Sequence, residues 1–334
     1  MPSESVLLAR DGRAGRITLN RPNVLNALDL DMIRGIRDAL DTWRESPEIH
    51  AIVIQGAGER AFCAGGDIRQ IRDLVLAGRD EAVETFFATE YALNQAIAEY
   101  PKPYVALIDG VCMGGGIGVS VHGRIRVATE AALLAMPETA IGMFPDIGAS
   151  YFLPRLPGAL GVFLALTGTR MRGADAVHAG FATHFVPRAG LASLSAALAR
   201  DGVGVVAEHT ETLPPFSLAP HREAIDRCFG VASVPEIFAR LAAEGTDWAR
   251  EVAATLRSMS PASVLWSFEL LRRGAHATLP QALATELALT RRVTHHHDYL
   301  EGVRAMVVDK DRRPQWQPAR VEDVDPADTA AMFA

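Results

Sequence analysis

Lysine is almost missing from the 334 residues: it occurs at Lys102 and Lys310, and arginine carries the remaining positive charge. With a formal net charge of −7, the chain lacks the basic stripe that a nucleic-acid surface needs. Cysteines number three, Cys63, Cys112 and Cys228, with no CxxC spacing. That sets aside a disulfide framework or a cysteine zinc site and points to a reducing compartment. No uninterrupted apolar run reaches membrane length. The most apolar stretch, "YVALIDGVCMGGGIGVSV", carries Asp109 and five glycines, which suits a buried strand-turn-helix better than a span. The opening "MPSESVLLARDGRAG" has no basic region followed by an apolar one, so it does not read as a secretory signal. GxxxxGK[ST] does not occur, and Gly114–Gly118 does not fit GxGxxG, which excludes nucleotide-phosphate loops. The expectation is a soluble cytoplasmic protein with no nucleic-acid or membrane partner.

What is there is an ordinary globular composition, 49% hydrophobic and 22% charged, long enough for a large core. "RITLN" (16–20), "HAIVIQG" (50–56) and "PYVALIDG" (103–110) predict strands, and "GRIRVATEAALLAMP" (123–137) continues in strand-like pieces. "ALDLDMIRGIRDALDTWRE" predicts a helix between the first two. After the proline-rich break "ETLPPFSLAP" (211–220), the segments "VPEIFARLAAEG", "DWAREVAATLRSM" and "PASVLWSFELLRRGAH" predict successive helices. The reading is an α/β core over 1–212 followed by a helical region over 213–334.

Three features carry chemistry. "FCAGGDI" (62–68) and "DGVCMGGGIGVSVHG" (109–123) each follow a strand and precede a helical pattern. Glycines there let backbone N–H groups approach a ligand, and two such loops together can place two N–H groups on one carbonyl oxygen. Either loop alone also reads as a tight turn. Next, "AMPETAIGMFPDIGAS" (135–150) sets Glu138 and Asp146 in an otherwise apolar segment without a Lys, Arg or His. Charged carboxylates are rarely buried without partners. Their alternative role is capping, Asp146 standing before the "IGASYFL" turn. Finally, Glu90 shares a helical face with Val83, Phe86, Leu93 and Ile97, and so is either paired in a core or lines a cavity.

The stretches "ITLNRPNVLNAL", "AFCAGGDI", "GVCMGGGIGVSVHGRIRVATE", "AMPETAIGMFPDIGASYFLPRLPG" and "ALTGTRMRGADAVHAGFATHFV" resemble the crotonase (enoyl-CoA hydratase/isomerase) superfamily. With "HHHDYLEGVRAMVVDKDRRPQWQP", they are most similar to its 3-hydroxyisobutyryl-CoA hydrolase subgroup. The likeness runs from about residue 6 to about residue 325. It implies an α/β spiral of repeated ββα units with a C-terminal helical region that covers the site or mediates assembly. It also implies an acyl-CoA substrate, with CoA part of the substrate and no separate cofactor or metal. The oxyanion-hole N–H groups it implies belong to Gly66 and Gly115. Hydratases of the superfamily use two glutamates, and at the first of those positions this chain has Gly118, which argues against hydration. The hydrolase subgroup's working carboxylates fall on Glu138 and Asp146, with Glu90 contacting substrate. The implied reaction is hydrolysis of a short branched 3-hydroxyacyl-CoA thioester in valine breakdown. The alternatives are a Δ3-Δ2 enoyl-CoA isomerase using Glu138 alone and a non-catalytic acyl-CoA-binding protein. Assembly into a homo-oligomer is left open by the resemblance.

Other signals are set aside. "HHH" (295–297) has no HExxH or spaced carboxylate, and consecutive residues point in different directions on a helix. His122 reads as a core or supporting histidine, and Met136 and Met143 as packing.

Overall fold

The computed structural model describes residues 5–334. They form two compact units. One comprises Thr89–Ala135, Arg170–Ser217 and the chain up to Asp67; the other comprises Ile68–Ala88, Met136–Thr169 and Leu218–Ala334.

The first unit holds both sheets. Its ten strands are β1 (Val6–Asp11), β2 (Ala14–Leu19), β3 (Ala51–Gly56), β4 (Ala61–Cys63), β5 (Tyr104–Ile108), β6 (Val111–Met113), β7 (Ile125–Ala128), β8 (Leu133–Ala135), β9 (Met171–Arg172) and β10 (His184–Phe185). The larger sheet has the order β1-β2-β3-β5-β7-β10, the smaller β4-β6-β8-β9. Each of the pairs β3/β4, β5/β6 and β7/β8 gives one strand to each sheet, which is the repeated ββα turn of a crotonase spiral. Parallel pairing of β2, β3, β5 and β7 leaves both faces covered, so β3 and β5 are almost wholly buried apolar runs. One face packs Val53, Val105, Leu107 and Val127 against Leu194 and Leu198 of the helix Leu191–Asp201. The helix Leu30–Arg44 buries Met32, Ile33, Ile36 and Leu40 and starts at Asp29, whose carboxylate accepts from Met32 N at 2.8 Å.

β1 is absent from the sequence reading. It is the sheet's outer edge, and Leu7 and Leu8 are exposed, so the strand shows no alternation. Pairing with β2 in an antiparallel hairpin, rather than its own pattern, makes it a strand.

The second unit has no strand. Three of its C-terminal helices match their predicted segments, and Leu279–Val293 adds a fourth that the sequence reading did not single out; all four have explicit caps. Ser233, Thr246 and Ser260 accept from the third residue onward in the helices Val234–Glu244, Asp247–Ser258 and Pro261–Gly274. Thr278 and Gln281 form a reciprocal capping box at the start of Leu279–Val293. Segments 68–88 and 136–169 cluster with these helices.

Candidate active site

In the first unit the two glycine loops adjoin. Leu28 pairs with the 65–67 loop: its N–H donates to Gly65 O at 2.8 Å, and its carbonyl accepts from Asp67 N at 2.8 Å. Gly66 N–H is left out of that ladder. Gly115 is the first residue of the helix Gly115–Val121, where an N–H has no intrahelical acceptor. Among the described residues neither N–H is paired with a backbone acceptor. The two positions are close, since a Cβ on Gly115 would stand 3.2 Å from Gly66 N. That Cβ would also strike Glu90 Oε1, so a glycine at 115 is what allows the Glu90 carboxyl to lie there. Glu90 is 2% exposed, on the buried face its spacing predicts. Nearby Cys63 is fully buried. Burial, with a smaller contribution from the Glu90 charge, pushes its thiol up to about 12.

The 21–28 segment is a support that the sequence reading did not single out. Arg21 donates to Ala27 O at 2.7 Å and to Asp67 at 3.1 Å, and pairs with Asp29 at 3.3 Å. Asn26, fully buried with a left-handed φ of 56°, donates to Ala57 O and Ala61 O and accepts from Arg21 N. Short polar side chains tolerate that backbone conformation best. Together they hold Leu28 against the 65–67 loop.

In the second unit Glu138 opens the 3-10 turn Glu138–Ile141 and is 6% exposed. Its carboxyl accepts from its own backbone N–H, and among the described residues its Oε2 has no hydrogen-bond partner. Burial, then the charge of Asp146, hold its carboxyl well above the usual range. Asp146 is 7% exposed and follows eight residues later. The two acids therefore share one electrostatic environment, despite Gly142 and Pro145 between them.

The short helix Ala149–Phe152 is capped by Glu286, from the helix Leu279–Val293. Glu286 accepts from Gly148 N at 2.7 Å, Ser150 N at 3.0 Å and Ser150 Oγ at 2.5 Å. Burial raises its carboxyl to about 8, with Asp146 adding to the rise and the three donors opposing it. Ile147 and Gly148, which follow Asp146, have left-handed φ of 57° and 83°. A β-branched residue there is strained, and Glu286 is what holds the strained turn. The sequence carried a signal for it: Glu286 shares a helical face with Leu283, Leu289 and Val293, as Glu90 does with its own apolar neighbours.

The 138–142 turn is clamped by later helices. Ser260 N donates to Thr139 O at 3.1 Å, Ser263 Oγ to Met143 O, and Ser260 Oγ to Asp298 at 2.6 Å. The three histidines serve locally. His295 lies 3.4 Å from Asp80, His297 Nδ1 is 3.1 Å from Asp298, and His296 Nδ1 accepts from Asp298 N while its ring meets Trp266 edge-on.

Paired sheets built from ββα repeats, with two converging N–H loops, define a crotonase-fold protein. A family model described as enoyl-CoA hydratase/isomerase matches residues 14–333, and the chain belongs to that family. It is 47% identical to the 3-hydroxyisobutyryl-CoA hydrolase, mitochondrial, of Xenopus tropicalis, over 95% of this chain and 86% of that protein. With the human protein of the same name the identity is 46%, over 99% and 89%. Among solved structures, a carnitinyl-CoA dehydratase from Mycobacterium thermoresistibile superposes with a TM-score of 0.95 at 39% identity, covering 99% of this chain and 97% of that one. An enoyl-CoA hydratase from Rhodobacter sphaeroides gives 0.93 at 42%, with the same coverage.

The cytoplasmic expectation is corrected by these relatives, which are named as mitochondrial proteins. The feature behind it, a low cysteine count, does not distinguish one reducing compartment from another. No helix of the described residues is long and apolar enough to cross a membrane.

Proposed function

We infer that the chain is an acyl-CoA thioester hydrolase that converts 3-hydroxyisobutyryl-CoA and water to 3-hydroxyisobutyrate and CoA. The observation that carries this reading is near-full-length identity of about 46% to proteins named for that activity. The buried Glu138–Asp146 pair supports it, and Gly118 at the hydratases' first glutamate position weighs against the hydratase activity for which the Rhodobacter sphaeroides neighbour is named.

In this reading the thioester oxygen accepts from the N–H groups of Gly66 and Gly115. Those donors oppose the negative charge that grows there as the carbonyl is attacked. Glu138 either attacks the carbonyl carbon to give an acyl-enzyme anhydride or takes a proton from the attacking water. In both routes the C–S bond breaks, CoA leaves as the thiol and water supplies the carboxylate oxygen. A raised Glu138 pKa makes its ionised form a stronger base than an ordinary carboxylate. Asp146 holds the 3-hydroxyl or assists proton transfer, and Glu90 contacts the acyl group. The residues after 212 cover the site or join copies of the chain.

The test is thiol release from 3-hydroxyisobutyryl-CoA by the wild type and by Glu138→Gln. Loss of about 10³-fold in the variant is expected. Full turnover by the variant refutes the role of Glu138. A wild type that releases no thiol but interconverts enoyl-CoA isomers refutes the hydrolase.

A further inference from the structure

Tyr299 is a fully buried residue of the same unit as the carboxyl pair, and its phenol has no part in the proposed chemistry. It sits in the second unit on the helix His297–Val303 and is 0% exposed. Among the described residues its phenol oxygen has no hydrogen-bond partner. A phenylalanine would fill the same space without the cost of burying an unsatisfied polar group.

The helix that carries it lies hard against the Glu138 turn. A Cβ on Gly142 would fall on Asp298 O and come 2.6 Å from Tyr299 N, and a Cβ on Gly302 would come 2.7 Å from Ile141 Cα. Ser260, bonded to both Thr139 and Asp298, locks that register. On its other side Arg72 Nε donates to Leu300 O at 3.0 Å. The ring therefore has a fixed position. Its hydroxyl lies within the electrostatic reach of Asp146 and of Arg72, the charged groups that act on it. Burial first, and the Asp146 charge second, push the phenol upward, so it stays protonated and is a donor at any working pH.

We propose that Tyr299 is a specificity residue of this enzyme, its phenol donating a hydrogen bond to the 3-hydroxyl oxygen of the acyl group while Asp146 accepts that hydroxyl's proton in a second hydrogen bond. The chemistry is complementary. A hydroxyl offers one donor and two acceptor sites, a carboxylate only accepts, and a protonated phenol is the donor the pair lacks. The proposal rests on the hydrolase reading and adds to it how the hydroxyl is told from a hydrogen.

The experiment compares kcat/KM of wild type and Tyr299→Phe on 3-hydroxyisobutyryl-CoA and on isobutyryl-CoA, which differs only in lacking the hydroxyl. If isobutyryl-CoA is not turned over, its competitive inhibition constant replaces kcat/KM. The variant keeps the ring, so its melting temperature should equal or exceed that of the wild type. About a tenfold fall on the hydroxylated thioester, with the deoxy thioester changed less than twofold, is expected. Equal losses on both thioesters, or no loss on either, overturn the proposal and leave the hydrolase standing. A wild type that releases no thiol from 3-hydroxyisobutyryl-CoA overturns both.

Discussion

Glu286→Gln separates the support of the candidate site from its chemistry. In the wild type three donors, Gly148 N, Ser150 N and Ser150 Oγ, converge on a fully buried carboxyl that titrates at about 8. Its ordinary value is 4.5, so the folded chain holds this proton more tightly than the unfolded chain does. The associated stability is fully present below pH 4.5 and is lost as pH rises through about 8. Within that window the slope is about 1.4 kcal/mol per pH unit, flattening near 8, which gives about 2 kcal/mol between pH 6 and pH 8. Glutamine does not titrate, but it turns an NH2 group toward one of the donors, costing about 2 kcal/mol for a lost buried hydrogen bond. At roughly 0.7 kcal/mol per degree for a chain this long, the variant should melt about 3 °C below the wild type at pH 6. The two should melt nearly together at pH 8. Melting curves from pH 5.5 to 8.5 give the comparison directly. A gap that stays constant or widens with pH would mean that Glu286 is charged in the folded protein, refuting the reasoning. Because Glu286 holds the strained Ile147–Gly148 turn beside Asp146, kcat/KM should fall about tenfold at every pH.

Other outcomes follow from the same geometry. Gly115→Ala puts a methyl against Glu90 Oε1 and 3.2 Å from Gly66 N; turnover should fall 10- to 100-fold, roughly 1–3 kcal/mol of misfit, with the fold retained by circular dichroism. Asn26→Ala removes two donors from Ala57 O and Ala61 O and leaves a left-handed residue that alanine tolerates poorly, so urea denaturation should show a loss of about 2–4 kcal/mol. Since the Glu138 carboxyl is held above its usual range and must ionise to act, kcat/KM should rise with pH through a value above 4.5, and an acid limb at or below 4.5 would remove Glu138 from the base role.

Much of this was legible locally. The strands and capped helices carry their own signals: buried β-branched runs in β3 and β5, and Ser or Thr before each of the helices that begin at 234, 247, 261 and 279. Glu138 and Asp146 stood out because an apolar segment with two unneutralised acids is rare, and Glu90 because its neighbours at helical spacing are apolar. Those signals span one or two turns of chain, so a single sequence can display them. What the tertiary structure alone decided lies across long separations. Glu286 reaches Gly148 from 138 residues away, Asp298 meets Ser260 across 38, and Leu28 pairs with the 65–67 loop with no pattern to announce it. Likewise β1 is a strand only because β2 pairs with it, and segments 68–88 and 136–169 join helices that begin after residue 218. The physical reason is one of range. Periodicity and capping are set by neighbours along the chain, whereas a buried acid's proton, a strained turn's support and a phenol's position depend on what packing brings alongside them.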